Sequence, residues 1–426
     1  MSDIEWIETT VGEYCPFIYG KALPQSKRIS GNIPVYGSNG IVDFHNSSCV
    51  NTAGVIIGRK GSVGAIHLSE KPFWAIDTAF YIVNDDLEEL KFTYYLLKTL
   101  GLSEMNSDSA VPGLNRENAH SLKIKIPKDK FHRCEIGKRL SIFDQKIQLN
   151  TQINQTLEQI AQALFRSWFV DFEPVRTKVQ ALSEGMSLEQ AELAAMQTIS
   201  GKTPEELTAL SQTQPDCYAE LAETTKAFPC EMVEIDGVEV PKGWELSTIG
   251  DCYDVVMGQS PKGETYNENK QGMLFYQGRA EFGWRFPTPR LFTTDPKRIA
   301  EQNSILMSIR APVGDINIAL EKCCIGRGLA ALQHKSKSLS FGLYQIQSIK
   351  PELDLFNGEG TVFGSINQAN LKNIQIINPE EKFIQLFEKN LSSCDSKIMN
   401  NEIENNALKE IRDLLLPRLL SGEIQL

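Results

Sequence analysis

Three glycine-rich stretches carry the residue types that nucleotide-binding chemistry uses. Phe356-Asn357-Gly358-Glu359-Gly360 has the FxGxG form of the loop in S-adenosylmethionine-dependent methyltransferases, where glycines let the backbone approach a cofactor. No Asn/Asp-Pro-Pro-aromatic motif occurs in the chain to hold the amino group of a target base. Nor is there a run of alternating strands and helices to build such an enzyme, so the stretch reads as a turn. Gly201-Lys202-Thr203 resembles the end of a phosphate-binding loop, but Met196 stands where the first glycine is needed, within a polar helical segment. Gly58-Arg59-Lys60-Gly61-Ser62-Val63-Gly64 follows a strand pattern and could cradle phosphate through backbone N–H groups. Its spacing is not a nucleotide fingerprint. A later copy, Ser308-Ile309-Arg310-Ala311-Pro312-Val313-Gly314, loses two of the glycines, and a tight strand-to-strand turn with a basic tip fits both. His45 and Cys49 would need distant partners to hold a metal, and the nine cysteines form no CxxC pair. No nucleophile, general base or metal constellation emerges, and no catalysis is expected of this chain.

The elements around these turns occur twice. Val55-Ile56-Ile57, Phe80-Tyr81-Ile82-Val83, Ile305-Leu306-Met307 and Leu329-Ala330-Ala331-Leu332 are short apolar runs bounded by Gly, Asn or Asp, the pattern of buried strands. Residues 86–101 and a stretch near 348–357 have helical character. Trp6 to Gly12 corresponds to Trp244 to Gly250, Gly113-Leu114-Asn115 to Ser365-Ile366-Asn367, and Leu122 to Pro127 to Ile374 to Pro379. Residues 13–50 and 251–300 share almost nothing, as expected of one scaffold with two different recognition surfaces.

The strongest repeat is a long helix. Asp144, Lys146, Ile147, Asn150, Leu157, Ile160 and Leu164 return without a gap as Asp395, Lys397, Ile398, Asn401, Leu408, Ile411 and Leu415. A 3,4 spacing runs Ile136, Leu140, Phe143, Ile147, Asn150, Asn154, Leu157, Ala161, Leu164, Trp168, and again Phe387, Leu391, Cys394, Ile398, Asn401, Asn405, Leu408, Arg412, Leu415, Leu419. Such a seam over several heptads is a coiled-coil signal, and the two helices most simply pair with each other. Asn150, Asn154, Asn401 and Asn405 fall on core positions, where polar residues lower stability but select one register.

The net charge of −11 is concentrated. Residues 171–240 hold 14 acidic and 4 basic residues, net −10, which leaves the remainder close to neutral. Local basic loops could therefore still face phosphate, while weak overall basicity implies poor DNA binding by the chain alone. The acidic segment opens helices at Ser187 and Thr203-Pro204 and reads as a helical insertion with a solvated or partner-contacting face. The scattered cysteines, and the lack of a signal peptide or an apolar run near 18 residues, point to a reduced, cytoplasmic, soluble protein with no membrane role. The divisions expected are 1–130, a first mixed α/β domain; 131–170, a first coiled-coil helix; 171–240, the acidic insertion; 241–379, a second domain; and 380–426, a second coiled-coil helix.

The chain resembles the specificity subunits of type I restriction-modification systems over nearly its full length. The likeness is carried by Leu157-Glu158-Gln159-Ile160-Ala161-Gln162-Ala163-Leu164-Phe165-Arg166-Ser167-Trp168-Phe169-Val170-Asp171-Phe172, then Pro174-Val175-Arg176, Pro241-Lys242-Gly243-Trp244, and the ending Leu414-Leu415-Leu416-Pro417-Arg418-Leu419-Leu420-Ser421-Gly422-Glu423-Ile424. The resemblance implies an α+β fold in which two mixed α/β target recognition domains are separated by two long helices forming an antiparallel coiled coil, an internal pseudo-two-fold repeat. Each domain would read one half of a split double-stranded DNA target, and the helices would fix the spacing. Two modification subunits carrying S-adenosylmethionine would dock on the scaffold, and restriction/translocase subunits using ATP and Mg would join them. The chain itself would bind no cofactor and no metal.

On that reading the candidate DNA contacts are Arg59, Lys60 and Ser62 in the first domain, and Gln259, Ser260, Lys262, Tyr266, Arg279, Arg310 and Arg327 in the second. Arginine is favoured because its planar fork bonds guanine or phosphate in bidentate fashion. The plainer role for Arg59 and Arg310 is to cap strands or pair with carboxylates. Ile147, Asn150, Asn154, Leu157, Leu164, Trp168, Ile398, Asn401, Asn405, Leu408 and Leu415 form the expected coiled-coil and subunit interface. The alternative is a non-catalytic adaptor whose two domains bind proteins.

Overall fold

The structure, a computed structural model, describes residues 4–105, 113–357 and 364–424. The chain divides into two compact units, Met1–Ile153 with Asn400–Leu426, and Asn154–Met399. The division falls inside both long helices, Lys130–Phe169 and Glu381–Ser421, so each unit contains a part of each.

The first unit has strands β1 (Trp6–Thr10), β2 (Ile18–Tyr19), β3 (Ile33–Gly37), β4 (Gly40–His45), β5 (Gly54–Gly58), β6 (Ile66–Ser69), β7 (Trp74–Ala75), β8 (Ala79–Val83) and β9 (Lys123–Pro127). They form sheets ordered β2-β8-β5-β6 and β4-β3-β7, with β1 and β9 paired separately. Val55, Ile56 and Ile57 are fully buried because β5 is central in its sheet, with side chains covered on both faces.

The second unit has β10 (Met232–Ile235), β11 (Val238–Pro241), β12 (Glu245–Thr248), β13 (Tyr253–Met257), β14 (Tyr266–Asn267), β15 (Met273–Tyr276), β16 (Leu291–Thr293), β17 (Ile299–Ala300), β18 (Ile305–Ile309), β19 (Val313–Ile318), β20 (Cys323–Ile325), β21 (Leu329–His334) and β22 (Gln375–Asn378). The order β13-β21-β18-β19 repeats β2-β8-β5-β6, and the parallel pair β15/β20 repeats β3/β7. The paired framework segments are caps and strands. Thr10 and Thr248 each cap a short helix, Asn115 and Asn367 cap another, and β1/β9 is matched by β12/β22.

The helix expected over 86–101 is Leu87–Lys98, capped by Asp86. The one expected near 348–357 begins earlier, as Leu339–Ser348 followed by Lys350–Asp354. Ser338 caps it, and Ser340 to Ile346 are all buried. A helix buried on every side shows no amphipathic period, which is why its start was not legible.

Within the first unit the two long helices run antiparallel, since Arg412 pairs with Asp144 while the amide nitrogen of Asn150 donates to Asn405 Oδ1 at 3.0 Å and Glu404 Oε2 at 2.7 Å. Within the second unit the sense is the same. Phe165, Trp168 and Phe169 lie 5.7, 6.0 and 5.2 Å from Phe387, while Glu158 and Asp395 share Arg285. Every residue of the 3,4 seam is buried or half-buried: Trp168, Ile398, Asn150, Asn154, Asn401 and Asn405 are at most 2% exposed, and Ile147, Leu157, Leu164, Leu408 and Leu415 are intermediate. Ile160 and Ile411, equivalent in the repeat, are instead 52% and 45% exposed on the outer face.

The acidic segment belongs to the second unit. It consists of helices Glu173–Ser183, Leu188–Ser200, Pro204–Thr213 and Pro215–Ala227, followed by the β10/β11 hairpin. Ser187 and Thr203 each form the reciprocal cap with a residue three positions on. Lys178 is fully buried and its ammonium donates to the carbonyls of Thr225 and Phe228 at 2.6 and 2.8 Å, where a helix ends and its carbonyls need donors. Gly201-Lys202-Thr203 is the turn between two of these helices.

Candidate nucleic-acid interface

In the first unit four connections converge at one end of the sheets. Gly20 and Lys21, after β2, donate their N–H groups to Ala79 and Ala75; Ile76, after β7, donates to Tyr36 at the end of β3; and Arg59 and Lys60, after β5, both donate to Thr78. A Cβ on Gly20 would lie 2.0 Å from the Ile76 carbonyl oxygen, so only glycine allows this approach. The N–H groups of Gly58, Arg59, Lys60, Val63 and Gly64 are all taken by chain carbonyls. The glycine-rich stretch is therefore the β5–β6 turn rather than an open phosphate nest. Its cationic tip is presented outward: Lys60 is exposed, and the half-buried Arg59 lies with its guanidinium carbon 4.9 Å from the Tyr19 ring centroid.

The second unit repeats four of these five bonds, with mostly different side chains. Gly258 and Gln259 donate to Leu329 and Ile325, Gly326 donates to Tyr276, and Ile309 donates to Gly328. A Cβ on Gly258 would lie 2.1 Å from the Gly326 carbonyl oxygen. These bonds make Lys21 equivalent to Gln259, Tyr36 to Tyr276, Asp77 to Arg327, Arg59 to Ile309 and Lys60 to Arg310. Arg310 and Arg327 are exposed, and neither side chain has an ion pair among the described residues. The turn after β5 and its counterpart after β18 share one cation, Lys60 and Arg310, while the others differ: Lys21 and Arg59 in the first unit, Arg327 in the second.

A family model, type I restriction modification DNA specificity domain, matches residues 3–159 and again 241–411. The type I restriction enzyme HindI specificity subunit of Haemophilus influenzae is 43% identical over 383 residues, covering 82% of this chain and 81% of that protein. The chain belongs to the type I restriction-modification specificity subunits. The MjaIX specificity subunit of Methanocaldococcus jannaschii is 22% identical over 385 residues, 87% of this chain and 77% of its own length. The crystal structure of a type I restriction-modification S subunit from M. genitalium shares the fold, with a TM-score of 0.60 at 16% identity over 98% of this chain and 97% of that one. This specificity subunit carries the specificity domain twice, and no helix among its described residues is long and apolar enough to cross a membrane.

Of the second domain's candidate contacts, Gln259, Ser260, Arg310 and Arg327 lie on converging turns, where Ser260 Oγ accepts the Arg327 N–H at 3.3 Å. Lys262 is exposed beside Glu264, and Tyr266 donates its hydroxyl hydrogen to the Pro261 carbonyl while its ring packs on Phe275. Arg279, on the β15 side, pairs with Asp315. In the first domain Ser62 is half-buried in the β5–β6 turn. His45 and Cys49 make local bonds to Ile29 and Ala75. Among the described residues no three His, Cys, Asp or Glu side chains gather as metal ligands. Of the FxGxG stretch, Gly358, Glu359 and Gly360 lie outside the described residues, and Asn357 is bonded to both backbone groups of Val313.

Tyr19, Arg116 and Arg285 carry no signal in the sequence. The Arg116 guanidinium also lies over Tyr19, at 5.0 Å, and Arg285 reaches both long helices. A lone Tyr in a two-residue strand and an Arg in a variable loop have no local signature. Their roles depend on partners 40 or more positions away in sequence, as with Tyr19 and Arg59.

Proposed function

We propose that this specificity subunit reads a bipartite double-stranded DNA target, each specificity domain contacting one half through its converging turns. The observation that carries this is the shared backbone arrangement of those turns around Gly20 and Gly258, with different side chains at their tips: Lys21 against Gln259, Asp77 against Arg327 and Arg59 against Ile309. A fixed backbone with exchanged tips suits two different base sequences; base edges supply sequence information and phosphate contacts supply register. The chain acts without catalysis of its own. Two modification subunits bearing S-adenosylmethionine methylate adenine, and restriction subunits using ATP and Mg add translocation and cleavage, in the cytoplasm.

In this reading the antiparallel helices set the number of unread base pairs. Inserting one heptad into each long helix adds about 10 Å of helix, roughly three base pairs of duplex. Mapping of methylated adenines with the assembled complex is expected to show a longer gap between unchanged half-targets. An altered half-target with an unchanged gap would remove the spacing role.

A further inference from the structure

We propose that Arg59 reads a guanine in the half-target of the first domain and that Tyr19 is the positioning residue that fixes its guanidinium for this task. The inference deepens the bipartite reading and rests on it.

Arg59 is held from three directions. Its guanidinium carbon lies 4.9 Å from the Tyr19 ring centroid and 5.7 Å from that of Phe80, and Nη1 donates to the Asp77 carbonyl oxygen at 3.2 Å. Tyr19 is itself set by Phe80, edge-on at 4.9 Å. The Nε and Nη2 groups of Arg59 have no partner among the described residues, and no carboxylate pairs with it there. Arg116, over the same ring, is neutralised by Glu117 at 2.8 Å. Arg59 keeps its charge and part of its donor fork unspent.

A guanidinium locked in plane with free donors matches the one base that shows two acceptors, N7 and O6, on its major-groove edge. A phosphate contact needs no fixed plane, and the adjacent exposed Lys60 is suited to it. Tyr19 keeps the ring 47% exposed at the same end, so the stack lies open to a ligand. In the second unit Ile309, 5% exposed, takes the place of Arg59, and Arg310 and Arg327 have no cation–ring contact among the described residues. The device is confined to one domain, and its effect is confined to one half-target.

The test uses the full-length chain assembled with its modification subunits, with methylated adenines mapped for the wild type, Arg59→Lys, Tyr19→Ala and Tyr19→Phe. Arg59→Lys keeps the charge and is expected to make one guanine position of one half-target degenerate, with about a tenfold loss of discrimination there. The other half-target and the gap stay unchanged. Tyr19→Ala is expected to give the same pattern, while Tyr19→Phe keeps the ring and retains discrimination. Duplexes with 7-deazaguanine at each guanine of that half-target test the unmutated chain directly: loss of N7 at one position should weaken methylation about tenfold, and Arg59→Lys should be indifferent to it. Uniform weakening at every sequence with no change in the motif would make Arg59 a phosphate contact and overturn the assignment. So would indifference of the wild type to 7-deazaguanine at every position. A continuous wild-type target with no gap would instead sink the bipartite reading, and this inference with it.

Discussion

Asp144 and Asp395 hold the same place in the repeated helix and are satisfied in different ways. Asp144 accepts from the Tyr95 hydroxyl at 2.6 Å and pairs with Arg412, a residue of the other long helix; its side chain is 31% exposed. Asp395 accepts from Ser340 and pairs with Arg285, which also binds Glu158 and the Tyr344 hydroxyl; Arg285 is 5% exposed and both carboxylates 14%. Burial pushes the Asp395 carboxyl above its ordinary range, with Arg285 opposing that shift. In the first unit the helices neutralise each other's charge. In the second the neutralising cation comes from the variable segment, so that recognition domain and helix pair form one electrostatic unit. A cleft of about 810 Å³ lined by Tyr36, Phe44, His67, Tyr95, Asp144 and Gln148 lies open beside Asp144 in the first unit; Arg285 lines a space of about 220 Å³, and the neighbouring cleft of about 750 Å³ lined by Gln162, Arg279 and Asn317 does not include its carboxylate partners.

The largest break in this contrast is Arg285→Ala. Two carboxylates, each only 14% exposed, would be left without their cation, a loss of about 3–5 kcal/mol. Arg412→Ala leaves Asp144 its tyrosine and access to water, and is expected to cost about 1 kcal/mol. Denaturant unfolding of the full chain compares the two, and equal losses would erase the difference between the two carboxylates. A further consequence concerns domain exchange: a foreign second domain lacking an arginine at this place should destabilise the helices to a similar degree.

The helix seam and the Arg285 network are unequally legible in the sequence. The helix seam is periodic, so Trp168, Ile398 and the asparagine layers could be placed on core positions from spacing alone, and all are buried. Arg285 could not, because its partners Glu158 and Asp395 are 127 and 110 residues away and nothing local marks their meeting. Residues 13–50 and 251–300 looked unrelated for a similar reason. Their kinship is in backbone bonds, at Gly20/Gly258 and Tyr36/Tyr276, which carry almost no side-chain signature. The turns bearing Arg59 and Arg310 were legible as turns because apolar strand runs bracket them. Which cation keeps its donors free depends on rings and carbonyls brought in from elsewhere in the chain.

An intermediate effect sharpens the comparison at the end of an inner strand in each unit, β8 and β21. Asn84 Oδ1 accepts the N–H of Asp86 at 2.9 Å, and at the matching place His334 Nδ1 accepts that of Ser336 at 3.2 Å. The histidine, packed against Tyr253 and Phe341, has its pKa pushed down by burial from 6.5 to about 4; Lys335 adds to this and Glu381 opposes it. The folded chain prefers the neutral ring, so this contribution is complete above pH 6.5 and is lost as pH falls toward 4. Between pH 7 and 5 the loss is about 2 kcal/mol. His334→Asn, which installs the first unit's residue, should flatten that part of the stability profile. His67 and His120 in the first unit are also held below their ordinary pKa by partial burial, so the informative quantity is the difference between variant and wild type. An unchanged profile would show that the second unit admits the protonated ring without cost.

The smallest expected effect tests the first unit's carboxylate directly. Tyr95→Phe keeps a buried ring in the core and deletes only the hydroxyl that donates to Asp144. Asp144 retains Arg412 and nearly a third of its side-chain surface in water, so the cost should be about 0.5–1 kcal/mol. Ser340→Ala makes the corresponding deletion at Asp395. There the lost donor is fully buried and the carboxylate is shielded, so solvent replaces the bond less readily and about 1.5–3 kcal/mol is expected. The ordering matters more than either value. If Tyr95→Phe proved the costlier, the first unit's carboxylate would be the more tightly enclosed of the pair, and the open cleft beside it would not relieve the loss.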